Sequence, residues 1–372
     1  MAIYQYGIAG VTDSLHPEDS SYTHLLPSNR ELTGASDSVG CGLFLEGVGR
    51  FVENHIIDLE KVCGEKISNV RVTLEKHGAF YHPCRVTLNN QCALSFVVNG
   101  AVTEEGIRVM HSEEKSLRLL WDKKINNIPE LLFSEEGLLS DGHRVSFFSA
   151  TWFDDFYEFH WSFDGKELAI SVWEDNDKKK SLSSGQVFDL FRKAARILSS
   201  AYDFDHFHQI FPWHHAAGDF VVRSVGDYVD VRLITVRQYT SLFGTDPEHA
   251  DMSDRMDCMF YFLWNLLLRM RLDRLDGIGE LIWAPEEIVV PCIRGFFDAF
   301  VEKAVHREDI SMVLGVFQQI IESMGKDGLF EIHEDILSVY HPESPERILM
   351  GENLRAHSDL VFDSIMSEPV IK

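Results

Sequence analysis

The order of apolar and polar patterns along the sequence constrains the fold of this chain most. Strand-like alternation dominates the first half, and apolar residues at helical spacing dominate the second. Residues 67–89 alternate apolar and polar side chains on both sides of Lys76-His77-Gly78, which predicts a β-hairpin. Further strands are predicted at 92–99, 128–133 and 144–153. Strands followed by helices are typical of an α+β fold.

Helices are predicted mainly in the second half of the chain. One helix is predicted from Ser112, an N-cap residue followed by Glu113 and Glu114, which suit the positive end of a helix dipole. A short hairpin is predicted near 219–236. Apolar residues recur at helical spacing in six other segments, which are 47–62, 183–202 and, approximately, 253–275, 293–306, 309–324 and 345–366.

These patterns divide the chain into an arm and two lobes. Residues 1–38 mix Gly, Pro, Ser, Asp and His without a period, which predicts an extended N-terminal arm. Residues 39–158 are predicted to form a β-rich lobe with one or two helices. Residues 159–372 are predicted to form a mainly helical lobe. The length of 372 residues suits two lobes, at roughly 150 residues per domain.

The formal net charge of −25 limits the partners of the chain. A strongly negative protein repels polyanions, so we expect no binding to nucleic acid polymers or to anionic membranes. The basic run Lys178-Lys179-Lys180 follows several acidic residues, which favours a solvated turn. The cysteines form no CxxC pair, and the N-terminus lacks a basic start and a long apolar stretch. We therefore expect a cytoplasmic protein that does not span a membrane.

The segment PWHHAAGDFVV, residues 212–222, lies between the long helix and the short hairpin. It places His214 and His215 shortly before Asp219. Imidazole titrates near neutral pH and a carboxylate is a hard oxygen ligand, so these side chains suit a catalytic or metal-binding loop. The structural alternative is an imidazole that braces the loop by donating to a backbone carbonyl.

The order of elements resembles the protein-kinase-like fold, most closely its aminoglycoside phosphotransferase branch. Gly218-Asp219-Phe220-Val221-Val222 resembles the end of the catalytic loop H-G-D-x-H-x-x-N and the strand after it, and Val231-Arg232-Leu233-Ile234 resembles the strand that precedes a metal-binding Asp. Asp257-Cys258-Met259 resembles the D-L-A that begins a large helix. The resemblance implies two lobes, the first with a mostly antiparallel five-stranded sheet and the second mainly helical.

For the site, the resemblance implies a phosphotransferase that uses ATP and Mg²⁺ on a small molecule between the lobes. His214 falls where the family has its catalytic Asp. Asp219 falls where the family has a metal-binding Asn, and Thr235 where it has a metal-binding Asp. Glu158 and His160 fall at the hinge, whose backbone would bind an adenine edge. An ordinary strand end is the alternative for these two residues.

Several positions depart from the family pattern. Asn99 ends the third strand where a family member has a phosphate-binding Lys. The hairpin turn contains only Gly78, although Lys76 or His77 at its tip could reach a phosphate. The hydroxyl of Thr235 is a poor substitute for a carboxylate. These departures support a second hypothesis, a catalytically degenerate module that binds a nucleotide, a metabolite or a protein partner.

A third hypothesis is an enzyme with a histidine-ligated transition metal. Several histidines and aspartates lie close together in the sequence, although their spacing matches no established signature such as HExxH. The possible ligands are His206, His208, His214, His215, Asp203, Asp205 and Asp219.

Overall fold

The computed structural model divides the chain into two compact units, Met1–Asp154 and Asp155–Lys372. The structure describes residues 2–26, 39–75, 80–88, 94–163, 165, 167–174, 178–213, 216–244 and 246–367.

The first unit contains, among its described residues, a six-stranded sheet and several helices. The strand order is β1-β2-β3-β4-β6-β5, with β1 parallel to β2 and the other neighbouring pairs antiparallel. The strands are β1 (Ile3–Ile8), β2 (Asn69–Leu74), β3 (His82–Leu88), β4 (Ser95–Ala101), β5 (Leu131–Leu138) and β6 (Arg144–Thr151). The helices are α1 (Ser20–Thr23), α2 (Cys41–Asn54), α3 (Ile56–Cys63) and α4 (Glu104–Asp122).

The expected number of five strands in this sheet is wrong, because Ile3–Ile8 adds a sixth strand at its edge. This segment pairs in parallel with β2, from Ile3 opposite Asn69 to Ile8 opposite Leu74. A parallel pair joins strands that are distant in sequence, so no hairpin turn marks it. Part of the predicted N-terminal arm therefore belongs to the sheet.

Helix α4 begins earlier than the sequence indicated. It starts at Glu104, where the hydroxyl of Thr103 accepts a hydrogen bond from the amide of Gly106 at 3.1 Å. Ser112 therefore lies inside the helix and is not its N-cap. Glu113 lies in the third turn and is not a first-turn acid; it is buried and accepts a hydrogen bond from the Tyr81 hydroxyl at 2.8 Å.

The core of the first unit lies between α2 and the sheet. Alternate residues of β3 are buried, as expected for a strand with one face on the core. Helix α2 buries the apolar residues that recur at helical spacing. The helix predicted at 47–62 is divided in two, since α2 ends at Asn54 and α3 begins at Ile56. The buried apolar residues of α2 include Phe44, Leu45, Val48, Phe51 and Val52.

The second unit is mainly helical, in agreement with the sequence. Within the described part of the chain, no helix combines the length and the apolar character that crossing a membrane requires. The helices are α5 (Ser184–Ala201), α6 (Ala216–Asp219), α7 (Met252–Met270), α8 (Val289–Ala304), α9 (Glu308–Ser338) and α10 (Pro345–Ser367).

Short antiparallel sheets accompany these helices. One of these sheets has three strands, in the order β7-β8-β9. The others are the strand pairs β10-β13, β11-β12 and β14-β15. The strands are β7 (Phe159–Phe163), β8 (Leu168–Glu174), β9 (Lys178–Ser181), β10 (His208–Ile210), β11 (Phe220–Val225), β12 (Tyr228–Leu233), β13 (Tyr239–Ser241), β14 (Leu272–Arg274) and β15 (Leu281–Trp283).

The helix starts of this unit follow from their caps. Ser183 caps α5 and Asp251 caps α7, each in a capping box that satisfies free amides of the first turn. The helix predicted at 183–202 is therefore confirmed. Because α7 begins at Met252, Asp257 lies in its second turn and does not open the helix.

The basic run at 178–180 forms a strand, which corrects the expectation of a solvated turn. Lys179 lies opposite Trp173 in the pairing of β8 with β9. Its ammonium lies 4.2 Å from the Trp173 ring centroid and 3.0 Å from Oδ1 of Asp276. The lysines are thus part of the three-stranded sheet.

Candidate functional site

Asp219 and Thr235 lie at the same end of the β11-β12 hairpin. Phe220 and Leu233 form the first residue pair of the hairpin, and the amide of Ile234 donates to the Asp219 carbonyl at 2.8 Å. Thr235 follows Ile234 directly. The register of the hairpin therefore brings together two residues that counting along the sequence assigned to one site.

The carboxylate of Asp219 is buried and faces an arginine. Asp219 is 2% exposed, and Nη1 of Arg237 lies 3.3 Å from its Oδ1. The same Nη1 donates to the carbonyl of Pro212 at 3.2 Å. A buried carboxylate is stable only when it is paired or hydrogen-bonded, and Arg237 supplies the compensating charge. Sequence reasoning did not single out Arg237.

The segment before His214 is held by a second arginine. Arg269, on α7, donates to the carbonyl of Trp213. Its guanidinium lies 5.2 Å from the ring centroid of Phe211 and 5.1 Å from that of Trp213, distances typical of cation–π contacts. Arg269 also donates to the Tyr340 hydroxyl at 3.2 Å. The main chain of 211–213 is thus fixed by Arg237 and Arg269.

Four predicted site residues lie outside the described part of the chain. These are His214 and His215 in the loop, and Lys76 and His77 at the tip of the β2-β3 hairpin. Their roles stay predictions.

Glu158 and His160 belong to a paired region of main chain. The amide and carbonyl of Tyr157 both bond Val222, each at 2.9 Å, and the Glu158 carbonyl accepts from the Trp173 amide at 2.9 Å. His160 lies opposite Ser171 in the pairing of β7 with β8. His160 is part of strand β7 and Glu158 directly precedes it, and the binding of an adenine edge by this main chain stays a prediction.

The His160 imidazole lies beside Glu158, Trp173 and the glycine of a tight turn. Its Nε2 is 3.8 Å from the Glu158 carboxylate, and its ring meets that of Trp173 edge to face at 5.6 Å between centroids. The 3-10 turn Leu275–Gly277 packs against β7, and its Gly277 lies next to the ring. Gly277 has a φ of +78°, and a Cβ there would lie 2.6 Å from Cε1 of His160, so only glycine fits.

Asp273, on β14, is a candidate that sequence reasoning missed. It is 4% exposed, and it accepts hydrogen bonds from the amides of Arg274 at 2.7 Å and Trp161 at 3.4 Å. Burial raises the pKa of this carboxyl to about 6, against the opposing effects of the Arg274 amide and of His160. Helix α6, which ends at Asp219, packs against both β7 and β14. No motif marks Asp273, since its burial depends on the packing of distant segments.

The described histidines of the proposed metal cluster have other contacts. Nδ1 of His206 lies 3.2 Å from the Asp203 carboxylate, and His208 meets Tyr239 edge to face. Asp205 forms ion pairs with arginines of α7 and of the turn before α9. Among the residues that the structure describes, no group of three His, Cys, Asp or Glu side chains is arranged to hold a metal ion.

Comparisons with known proteins give only remote structural likenesses. No family profile and no curated protein matches the chain. Many solved structures are similar to part of it, and three of them are named here. "WaaP in complex with acyl carrier protein" has 11% identity and a TM-score of 0.31, with 68% of this chain and 88% of that chain covered.

The other two structures are described as macrolide 2'-phosphotransferases. The type I protein has 11% identity and a TM-score of 0.29, over 70% of this chain and 95% of that chain. The MphH protein from Brachybacterium faecium, as apoenzyme, has 12% identity and a TM-score of 0.27. The match covers 71% of this chain and 97% of that chain. Structural similarity at this level supports no conclusion about the activity of this chain.

Proposed function

We propose that this chain is a kinase-like binding module that holds a nucleotide or a small metabolite without transferring phosphate. The observation that supports this function is the ion pair between Asp219 and Arg237. It occupies the carboxylate that the sequence resemblance assigns to a metal ion. A protein partner is a further ligand class for such a module.

The residues at this end of the hairpin do not fit Mg²⁺. That ion requires hard oxygen ligands in near-octahedral geometry, and a fixed positive charge close to its ligand repels it. Here the guanidinium of Arg237 lies 3.3 Å from Oδ1 of Asp219, and Thr235 offers only a neutral hydroxyl. No step of the proposed function depends on a metal ion.

Thermal unfolding of the full chain tests the nucleotide ligand. The midpoint is measured with ATP, ADP and AMP, each with MgCl₂ and with EDTA. We expect a nucleotide to raise the midpoint equally in both, because ligand binding to the folded state stabilises it regardless of the metal. Stabilisation that requires Mg²⁺ and disappears in Asp219→Ala would contradict the proposal. A flat response to every nucleotide would leave metabolites and proteins as the remaining ligands.

A paired set of variants separates charge from metal binding. Arg237→Gln leaves Asp219 without this cation, whereas the double variant Asp219→Asn with Arg237→Gln removes both charges. If the ion pair has only a structural role beside the ligand site, the double variant keeps its nucleotide response. If Asp219 binds a metal ion, both the single Asp219→Asn variant and the double variant lose every Mg²⁺-dependent effect.

A second candidate is an active phosphotransferase in which His214 accepts the proton of a substrate hydroxyl. The clamping of 211–213 by Arg237 and Arg269 favours it, because catalysis requires groups held in a fixed position. Labelled ATP incubated with the protein and a small-molecule pool would reveal transfer. Transfer that is lost in His214→Ala and kept in His249→Ala would establish this candidate over the first.

Metal analysis of the purified protein addresses the histidine-ligated alternative. Stoichiometric zinc, iron, manganese or nickel that is lost in His206→Ala or His214→Ala would support it. A metal content near zero would remove it.

A further inference from the structure

A cavity of about 260 Å³ lies in the first unit, between α2 and the β5-β6 hairpin. None of the site residues discussed above lines this cavity. Its buried apolar lining comes from α2, from β6 and from the turn between β5 and β6, and its opening carries charged and polar side chains. The apolar lining is Phe51, Leu139, Val145 and Phe147, with the exposed Leu138, and the polar lining is Arg50, Glu53, Asn54 and Glu135.

The polar residues of the opening are fixed in position by their contacts. Glu53 accepts a hydrogen bond from the Tyr4 hydroxyl, on β1, at 2.5 Å. Glu135 accepts two hydrogen bonds from the Asn54 amide, at 3.0 and 3.2 Å, and lies 3.5 Å from Nε2 of His55. Both carboxylates are therefore oriented before any ligand arrives, which reduces the entropy cost of binding.

Arg50 differs from its neighbours because its guanidinium makes no hydrogen bond or ion pair with any residue that the structure describes. It lies three residues before Glu53 on the same face of α2, a spacing at which opposite charges commonly pair. The two side chains remain apart, and Tyr4 holds Glu53 instead. The opening thus presents an available cation beside oriented carboxylates.

The charges at the opening define the ligand class. An anion alone would face two carboxylates, and a cation alone would leave Arg50 without a partner. A ligand with an ammonium and a carboxylate on neighbouring atoms matches both charges, and an apolar side chain matches the lining. The volume lies below the roughly 300 Å³ at which drug-sized sites begin, so the ligand must be small.

We propose that this cavity binds a free α-amino acid with an apolar side chain, such as leucine or phenylalanine. Arg50 binds the carboxylate, Glu53 and Glu135 bind the ammonium, and Phe51, Val145 and Phe147 contact the side chain.

Isothermal titration of the full chain with L-leucine and with L-phenylalanine tests the proposal. The matched probes are leucinamide, which lacks the carboxylate, N-acetyl-leucine, which lacks the ammonium, and 4-methylpentanoate, which lacks the amino group altogether. We expect each probe to bind at least about tenfold more weakly than leucine, since a lost charge-assisted contact corresponds to at least one factor of ten. Equal binding of leucine and N-acetyl-leucine, or no binding of either amino acid, would overturn the proposal.

Three variants localise the binding. Arg50→Gln should weaken leucine about tenfold while leaving leucinamide unchanged, because only the carboxylate contact is lost. Glu135→Gln should also weaken leucine but should leave N-acetyl-leucine unchanged, because only the ammonium contact is lost. Gly137→Leu should block the cavity, because a Cβ at Gly137 meets no atom within 4 Å and the added side chain can enter open space.

A matched control on another helix is Arg108→Gln, which should bind leucine like the unaltered protein. Circular dichroism verifies that each variant is folded. If Gly137→Leu does not fold, the Arg50→Gln and Glu135→Gln pair decides. Undiminished leucine binding in Arg50→Gln would place the ligand elsewhere and refute the proposed site.

Discussion

Asp219 and Arg237 form an ion pair of which the sequence predicts only one member. Asp219 could be predicted as functional or bracing, because it lies between a glycine and an apolar strand. Its arginine partner could not, since the two residues meet only through the register of the β11-β12 hairpin and the turn after it. Asp273 was missed for the same reason, because its burial depends on the packing of β14 beside β7.

Removing Arg237 should destabilise the second unit strongly. Arg237→Ala leaves the carboxylate of Asp219, which is 2% exposed, without this cation, and breaking a buried pair in this way costs about 3 kcal/mol. Urea unfolding measures the difference. The exposed pair of Arg355 with Asp327 provides the control, since Arg355→Ala should cost much less than the loss of the buried pair. Equal losses in the two variants would show that burial of Asp219 has no energetic weight.

Asp273 should make folding stability fall as the pH rises. Its folded pKa, raised to about 6 by burial, lies above the ordinary value of 3.8, so its contribution is fully present below pH 3.8 and is lost as the pH rises through 6. The shift corresponds to at most about 3 kcal/mol. Asp273→Asn, which keeps an acceptor for the Arg274 amide, should remove this loss. The measurement is the difference in unfolding free energy between the two proteins from pH 4 to pH 7. A constant difference would contradict the assignment.

At the scale of elements, sequence patterns predicted the hairpins and helices that depend on interactions between residues close in sequence. The alternation on both sides of residues 76–79 gave the β2-β3 hairpin, and Ser183 marked the start of α5. Strand β1 could not be found in this way, because its partner β2 is remote in sequence. The true cap of α4 did have a signal, Thr103 followed by two glutamates, but Ser112 offered a similar one inside the same helix.

The packing of α9 against α10 contains a pair of fully buried imidazoles. His333 and His357 lie 5.3 Å apart between ring centroids, and a ring nitrogen of His333 is 2.7 Å from the Ser358 hydroxyl. Trp264 and Trp283 meet these rings edge to face. Burial lowers the pKa of His333 to about 3, and burial, His333 and Arg271 lower the pKa of His357 well below its usual value.

This pair should make the protein sensitive to acid. Both folded pKa values lie below the usual value of 6.5, so the stability they contribute is present above pH 6.5 and is lost as the pH falls towards 3. Each histidine should reduce the unfolding free energy by about 1.4 kcal/mol per pH unit in that range. His357→Leu should therefore roughly halve their combined slope. A slope in His357→Leu equal to that of the unaltered protein would refute the pair's role.

At the scale of the whole molecule, charge is the property that the sequence states most directly. The chain has 59 acidic and 34 basic residues, and the formal net charge is −25. Such an excess opposes the compact state through self-repulsion, which dissolved salt screens over a Debye length of about 10 Å at 0.1 M. A buried ion pair such as Arg237 with Asp219 is screened less than the exposed charges.

Moderate salt should therefore stabilise the folded chain. The unfolding midpoint should rise by several degrees between low ionic strength and about 0.3 M NaCl, since about 1 kcal/mol shifts the midpoint of a domain of this size by roughly 2–4 °C. The rise should level off above that concentration, because the Debye length is then already short compared with most charge separations. KCl at equal ionic strength should give the same curve, whereas sucrose should give a steady rise without a plateau. A midpoint that falls with NaCl would mean that attractive ion pairs outweigh the repulsion of the excess acidic residues.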